Sequence, residues 1–194
     1  MTDYKQNRID ILLQSKRLEF KYKQSNTTKG LYDLITKYVD DKFVIVELGS
    51  FSGVSSELFA LHCKKLYCID PWLPYWEIND TDKMYNAELK FDFMMKSYNN
   101  IIKHKICSYE ASFMFENSSV DLVYIDSDHS TNNVEKEINT WLPKIKKTGF
   151  ISGHDFNMPT VFNAVTKYFD PTLIEIFNDT SWIYKISDYN YKER

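Results

Sequence analysis

Phe43-Val-Ile-Val-Glu-Leu48 is a short, almost unbroken apolar run. It lacks the apolar/polar alternation of a strand with one wet face and is too short for an ordinary helix. It reads as a strand buried on both faces, which restricts the chain to folds whose parallel sheet is covered on each side. Helical and extended patterns then alternate. Val54, Leu58 and Leu61 mark a helix, residues 65–70 a second strand and residues 71–80 a Pro/Trp-rich loop. Residues 81–98 read as helical, with Ala87, Phe91, Met94, Met95 and Tyr98 turned inward. A third strand at 101–106, a short helix at 109–115 and a fourth strand at 120–126 follow. Val134, Ile138, Trp141 and Ile145 define a helix stopped by Gly149, with a fifth strand at 150–152. Val161, Val165 and Tyr168 mark a last helix, and 173–177 and 182–186, joined by a short polar turn, an antiparallel hairpin.

Ahead of the first strand, Ile9, Leu12, Leu13 and Phe20 share one face of a helix over 4–23, and Leu31, Leu34, Ile35 and Tyr38 one face of a second. The expectation is an α/β fold of Rossmann type: a seven-stranded, mostly parallel sheet with a C-terminal antiparallel hairpin and helices on both faces. Residues 1–40 would be a helical cover and 41–194 the sheet domain, in one structural unit. A length of 194 residues suits a single domain. Ligands of such sheets bind beyond the carboxyl ends of the strands, so the chemistry is sought there.

Composition narrows the partners. With 24 Lys+Arg against 27 Asp+Glu the chain lacks the positive field that nucleic acid or an anionic membrane selects. No run approaches the ~20 apolar residues that span a bilayer, and no signal-like segment follows Met1. Cys63, Cys68 and Cys107 have no metal-ligand spacing and read as reduced thiols, which fits a cytoplasmic setting.

At the first strand end Gly49 and Gly53 allow a tight turn into a helix whose free N–H groups suit a carboxylate; an ordinary strand-to-helix turn would look the same. Asp70, about twenty residues on, can accept from both hydroxyls of a ribose or cap a loop. Trp72 beside it can pack on an adenine or in the core. His62 and His104 read as structural.

Four motifs in order, Glu47-Leu-Gly-Ser-Phe-Ser-Gly53-Val-Ser55, Ile69-Asp70-Pro-Trp72, Tyr124-Ile-Asp126-Ser-Asp-His129 and Gly149-Phe-Ile-Ser-Gly-His154-Asp155, resemble those of class I S-adenosylmethionine-dependent methyltransferases. The chain is similar to the small methyltransferases found with glycan and natural-product biosynthesis genes, and its first motif to that of catechol-type O-methyltransferases. The resemblance spans roughly residues 40–187. It implies S-adenosyl-L-methionine as cofactor, its methionine part on the turn of Glu47, Gly49, Ser50, Phe51 and Gly53, with Ser55 facing its carboxylate. Asp70 would hold the ribose, Trp72, Ser108 and Tyr109 the adenine side, and Asp126 the reacting end.

Neighbouring strands lie ~4.8 Å apart, so Asp126, His154 and Asp155 can converge on one divalent cation, magnesium or manganese. The catechol-type enzymes carry an Asp-Asn pair after the fifth strand. His154-Asp155 replaces it here, and imidazole suits softer ions than magnesium. A turn that contacts only cofactor or substrate is the alternative for this pair. His129 occupies the place of a lysine base in those enzymes and can take a hydroxyl proton near neutral pH; capping the helix near Thr131 is its other reading.

These residues lead to methyl transfer onto a hydroxyl of a glycan or small molecule, with Asp126 and His129 in the chemistry. Trp72, Tyr75 and Trp76 would offer a stacking wall for the acceptor, a lid or a homodimer contact. N-methylation of an amine or amino sugar and a silent cofactor-binding subunit are the alternatives. No Asp/Asn-Pro-Pro-Tyr/Phe motif of nucleic-acid methyltransferases is present.

Overall fold

The structure, a computed structural model, describes residues 2–14 and 28–189. Helices α1 (Thr2–Gln14) and α2 (Lys29–Tyr38) precede β1 (Val44–Leu48), α3 (Val54–Ala60), β2 (Lys65–Ile69), α4 (Thr81–Met95) and β3 (Ile101–His104). Then come α5 (Ser108–Ala111), β4 (Val120–Ile125), α6 (Thr131–Trp141), β5 (Ile145–Gly153), α7 (Pro159–Tyr168), β6 (Glu175–Ile176) and β7 (Trp182–Lys185). The expected helix over 4–23 is present as α1 up to Gln14; its remainder, with Phe20, lies outside the described residues.

The strands form one seven-stranded sheet in the order β3-β2-β1-β4-β5-β7-β6. β1 to β5 run parallel, and β7 pairs antiparallel with both β5 and β6. Alternate residues of the central strands feed separate cores. Val46, Leu48, Ile69, Val123 and Ile125 pack on Val134, Ile138 and Trp141 of α6 and Val161, Ala164 and Val165 of α7. Ile45, Leu66, Cys68, Leu122 and Tyr124 face Leu12 of α1, Leu31, Leu34 and Ile35 of α2, Leu58 of α3 and Phe91 of α4. This is the Rossmann-like arrangement expected, with helices on both faces.

Several elements are shorter than expected: α4 ends at Met95, β3 at His104 and α5 at Ala111, and β6 is only Glu175–Ile176. The largest difference is at β5. α6 stops at Trp141, not at Gly149, because Pro143 lacks the N–H a further turn requires and the chain tightens into a 3₁₀ turn, Leu142–Lys144. Ile145 therefore begins β5 opposite Val120, whereas Phe150 pairs with Leu122, so residues 146–149 bulge out of the ladder. Gly149 passes over Asp121 so closely that a Cβ would lie 2.5 Å from its carbonyl oxygen.

The start of α2 has no cap from its own Thr28. Instead Asp179, in the β6–β7 turn, accepts from Leu31 N at 2.7 Å and from Ser181 N at 3.0 Å. Gly30 is tied to that contact, since a Cβ there would meet Asp179 Oδ1 at 2.0 Å. Asp179→Ala is expected to cost about 1–3 kcal/mol in urea unfolding, by orphaning buried N–H groups, while Asp179→Asn, whose single amide oxygen can serve one of the two donors, recovers part of the loss. Equal losses in the two variants would show that the cap is not what Asp179 contributes.

Candidate functional site

The glycine turn is built where β1 ends. Gly49 and Gly53 have φ of +90° and +87°, and Phe51 between them is also left-handed at +43°. Gly49 donates to Ile69 O at 2.8 Å, and Asp126 N donates to Leu48 O at 2.8 Å, so the ends of β2, β1 and β4 are stitched together. A Cβ on Gly49 would sit 2.1 Å from Asp126 O. The glycine thus answers first to a backbone neighbour. Gly53 packs against Met95 and Phe91 of α4, with a notional Cβ at 3.0 and 3.2 Å.

Beneath the turn lies Glu47, fully buried, whose Oε2 accepts from Ser50 Oγ at 2.7 Å and from Ser56 Oγ. Its Oε1 is buried and unpaired. Burial raises the pKa of Glu47, against the pull of the Ser55, Ser56 and Ser50 hydroxyls. Ser55 is itself buried and turned to this carboxyl.

Asp70 pins two left-handed residues. Its Oδ2 accepts from Phe51 N at 2.9 Å and its Oδ1 from Trp72 N at 2.6 Å, Trp72 having a φ of +48°. Burial raises the Asp70 pKa and these N–H groups oppose it. The Trp72 indole donates to Phe51 O at 2.8 Å and packs on Phe91 at 5.1 Å between centroids. At 3% exposure it belongs to the core below the turn and forms no part of an open stacking wall. Trp76 is the exposed indole of this loop.

On the other side Ser108 opens α5, buried, with its carbonyl accepting from Trp141 Nε1 at 3.0 Å, and Lys136 lies over the Tyr109 ring. Behind Ser108 lies Glu137, which no sequence motif marks. It is wholly buried on α6, takes a hydrogen bond from Ser127 Oγ at 2.6 Å and leaves Oε2 unpaired. Burial pushes its pKa up to about 7, opposed by the Ser108, Ser127 and Asn133 side chains.

At the ends of β4 and β5 four side chains meet. Gly153 allows the two strands to close up, since a Cβ would lie 2.5 Å from Ile125 O, and His154 N donates to that carbonyl at 3.0 Å. Asp155 is left-handed, with φ of +56°. His129 Nε2 lies 3.1 Å from Asp155 Oδ2 and 3.5 Å from Asp126 Oδ1, and His154 Nδ1 lies 3.0 Å from Asp155 Oδ2. These approaches are close but misaligned, and His129 Nε2 and both His154 ring nitrogens are buried without a hydrogen bond. Burial works against a charged His129, but Asp126, Asp155 and Glu77 outweigh it and push its pKa up to about 12. Asp155 is likewise desolvated, yet His129 and His154 hold its pKa well below the usual carboxylate range.

Asp126, His154 and Asp155 offer ligand atoms that all lie within 4.8 Å of one another, and the unpaired imidazole nitrogens supply donors that a cation would satisfy. The donor set fits a divalent ion with mixed nitrogen and oxygen preference. Loop 71–80 roofs this cluster. Glu77 Oε2 accepts from His129 Nδ1–H at 2.7 Å, Trp76 Nε1 donates to Asp128 Oδ1 at 2.8 Å, and the Tyr75 hydroxyl, its pKa raised by burial and by Glu77, Asp126, Asp70 and Asp128, lies among them. Glu77, an acid in a loop without a motif, was not visible from the sequence. His62 and His104 stand apart: His62 Nδ1 is 2.8 Å from Leu58 O and His104 stacks on Tyr67.

Residues 46–156 match a family model described as a methyltransferase domain. No curated protein matches the chain in sequence. Among solved structures the O-methyltransferase NovP superposes with a TM-score of 0.69 at 12% identity, over 95% of this chain and 98% of that one. An rRNA methylase from Streptococcus thermophilus gives 0.57 at 12% identity, over 85% and 96% of the two chains. An S-adenosylmethionine-dependent O-methyltransferase from Thermotoga maritima gives 0.55 at 13%, over 77% and 52%. At such identities the likeness is one of fold. No helix among the described residues is long and apolar enough to cross a membrane.

Glu137 makes the stability of the site depend on pH. Its folded pKa of about 7 lies above the ordinary 4.5, so its contribution is complete below pH 4.5 and is lost as pH rises through 7. Glu137→Gln, neutral throughout, is expected to gain on the unmodified protein between pH 5 and 8, by an amount of order 2–3 kcal/mol at the alkaline end. Thermal melts across that range check it; a difference independent of pH would contradict a buried, titrating carboxyl.

Proposed function

The chain belongs to the methyltransferase-domain family, its fold that of class I S-adenosylmethionine-dependent methyltransferases, and on that premise we propose that it methylates a hydroxyl oxygen of a glycan or small molecule. The observation that carries the oxygen assignment is the convergence of Asp126, His129, His154 and Asp155 beside the Gly49–Gly53 turn. A hydroxyl must be stripped of its proton or polarised before it attacks, whereas a free amine needs neither, and this cluster holds the groups for both tasks.

When bound, S-adenosylmethionine supplies an electrophilic methyl carbon, whose bond to sulfur breaks as the bond to the acceptor oxygen forms. The protein's part is to hold the two ends in line. The unpaired Oε1 of Glu47 suits the donor's ammonium, directly or through water, and the remaining lone pairs of Asp70 suit the ribose hydroxyls. Ser108 and Tyr109 would line the side of the nucleobase. Asp126, His154 and Asp155 would hold a divalent cation, which supplies Lewis-acid polarisation of the acceptor hydroxyl. His129 would take the acceptor's proton at Nε2 once Asp126 and Asp155 engage other partners, since these two, with Glu77, hold its pKa high. Most of the rate comes from donor and acceptor being held at attack distance.

Labelled methyl transfer into panels of glycans, phenols and amines, with and without a chelator, tests this reading. Label in hydroxyl acceptors supports it; label confined to amines overturns it. His129→Gln is expected to lower turnover by roughly 10² to 10⁴ while leaving S-adenosylhomocysteine affinity within about twofold. Asp70→Asn should weaken that affinity by roughly tenfold or more. Exhaustive metal removal should abolish turnover and spare S-adenosylhomocysteine binding. Undiminished turnover would remove the cation and leave Asp126 as a partner of the donor's ammonium.

A further inference from the structure

Loop 71–80 leaves β2 at Asp70 and enters α4 at its N-cap, Asp80, whose side chain accepts from Lys83 N. Midway, Tyr75 N donates to Ile78 O and Ile78 N to Tyr75 O, both at 3.0 Å. This reciprocal pair makes a two-residue hairpin tip whose residues are Trp76 and Glu77. The tip meets two consecutive residues of the segment after β4: Trp76 Nε1 binds Asp128 Oδ1 and Glu77 Oε2 binds His129 Nδ1. The partners in each contact are 52 residues apart. The two contacts differ in character. The Trp76 indole is 60% exposed, whereas the side chains of Glu77 and His129 are 16% and 17% exposed, so the second is a charge-assisted contact largely out of water.

A carboxylate only accepts, so Nδ1 of His129 carries the hydrogen and the ring turns its other nitrogen toward Asp126 and Asp155. We infer that Glu77 is a positioning residue: the loop tip inserts it behind His129 and fixes the ring with Nε2 toward the acceptor, so that closing the loop and completing the reaction centre are one event. This rests on His129 acting as the base proposed above. A loop that merely covered the donor would need Trp76 and its latch, but no carboxylate behind an imidazole.

The test compares Glu77→Ala, Glu77→Gln and Trp76→Phe in the full chain, reading turnover, the dissociation rate of S-adenosylhomocysteine and long-range ¹H–¹⁵N spectra of the His129 ring. Loss of either tip contact should speed S-adenosylhomocysteine dissociation a few-fold. Only Glu77→Ala should shift the Nδ1–H signal of the His129 ring, by removing its hydrogen-bond acceptor, and lower turnover by about 10²-fold, the scale of a misplaced reacting group. Glu77→Gln, whose amide oxygen accepts the same hydrogen, should restore that signal and much of the rate. Unchanged ring signals in a folded Glu77→Ala protein would overturn the inference, as would a turnover in Glu77→Gln no better than in Glu77→Ala. Normal turnover in His129→Gln would overturn the base reading instead, and the ring spectra would still report whether Glu77 sets the imidazole.

Discussion

Gly49 and the carbonyl of Asp126 occupy space that a single methyl group would close: a Cβ on the glycine would lie 2.1 Å from that oxygen. The turn that follows β1 and the acid that ends β4 are therefore in backbone contact, and the remaining site is arranged around that seam. Leu48 O receives Asp126 N from one side, and Ile69 O receives Gly49 N on the other. Gly153 repeats the device one strand further, against Ile125 O. Glycine at these strand ends sets how closely the ends of β1, β4 and β5 approach, and a side chain at either place would move backbone before it touched any ligand.

The site also holds left-handed residues that are not glycine. Phe51, Trp72 and Asp155 lack the freedom of glycine, and each carries a conformation that must be held by its surroundings. Asp70 holds the first two through their N–H groups, with the Trp72 indole closing the ring of contacts onto Phe51 O. The carboxylate proposed for the ribose is also the clamp that shapes the turn beside it, so a substitution at Asp70 reaches the local structure as well as any ligand.

Much of this was legible because strand-end chemistry is local. The buried run 43–48, the glycines at 49 and 53, and the acids at 70 and 126 declare themselves within a few neighbours. The limit of β5 did not, because Ile145 falls at helical spacing from Trp141 and Gly149 looks like a helix stop; only pairing of Ile145 with Val120, across the sheet, decides otherwise. Trp72 followed the same rule. Next to an acid at a strand end it reads as a ligand contact, and its packing on Phe91 is fixed by α4, nineteen residues further along. Glu77 and Glu137 carry no motif. Glu77 depends on a hairpin tip within a Pro/Trp-rich loop, and Glu137 on α6 turning one polar side chain inward beneath Ser127.

Asp179 and Leu31 are separated by 148 residues, yet they share one hydrogen bond at the first turn of α2. During synthesis at the ribosome the helix emerges long before the residue that completes its N-terminus. The apolar face of α2 can already pack on β1, β2 and β4, but its Leu31 N–H must stay with water until the β6–β7 hairpin has left the exit tunnel. The last strands to be made thus secure one of the first helices, and a chain truncated before the β6–β7 turn would keep the residues of its strand-end site while losing the contact that closes the fold upon itself.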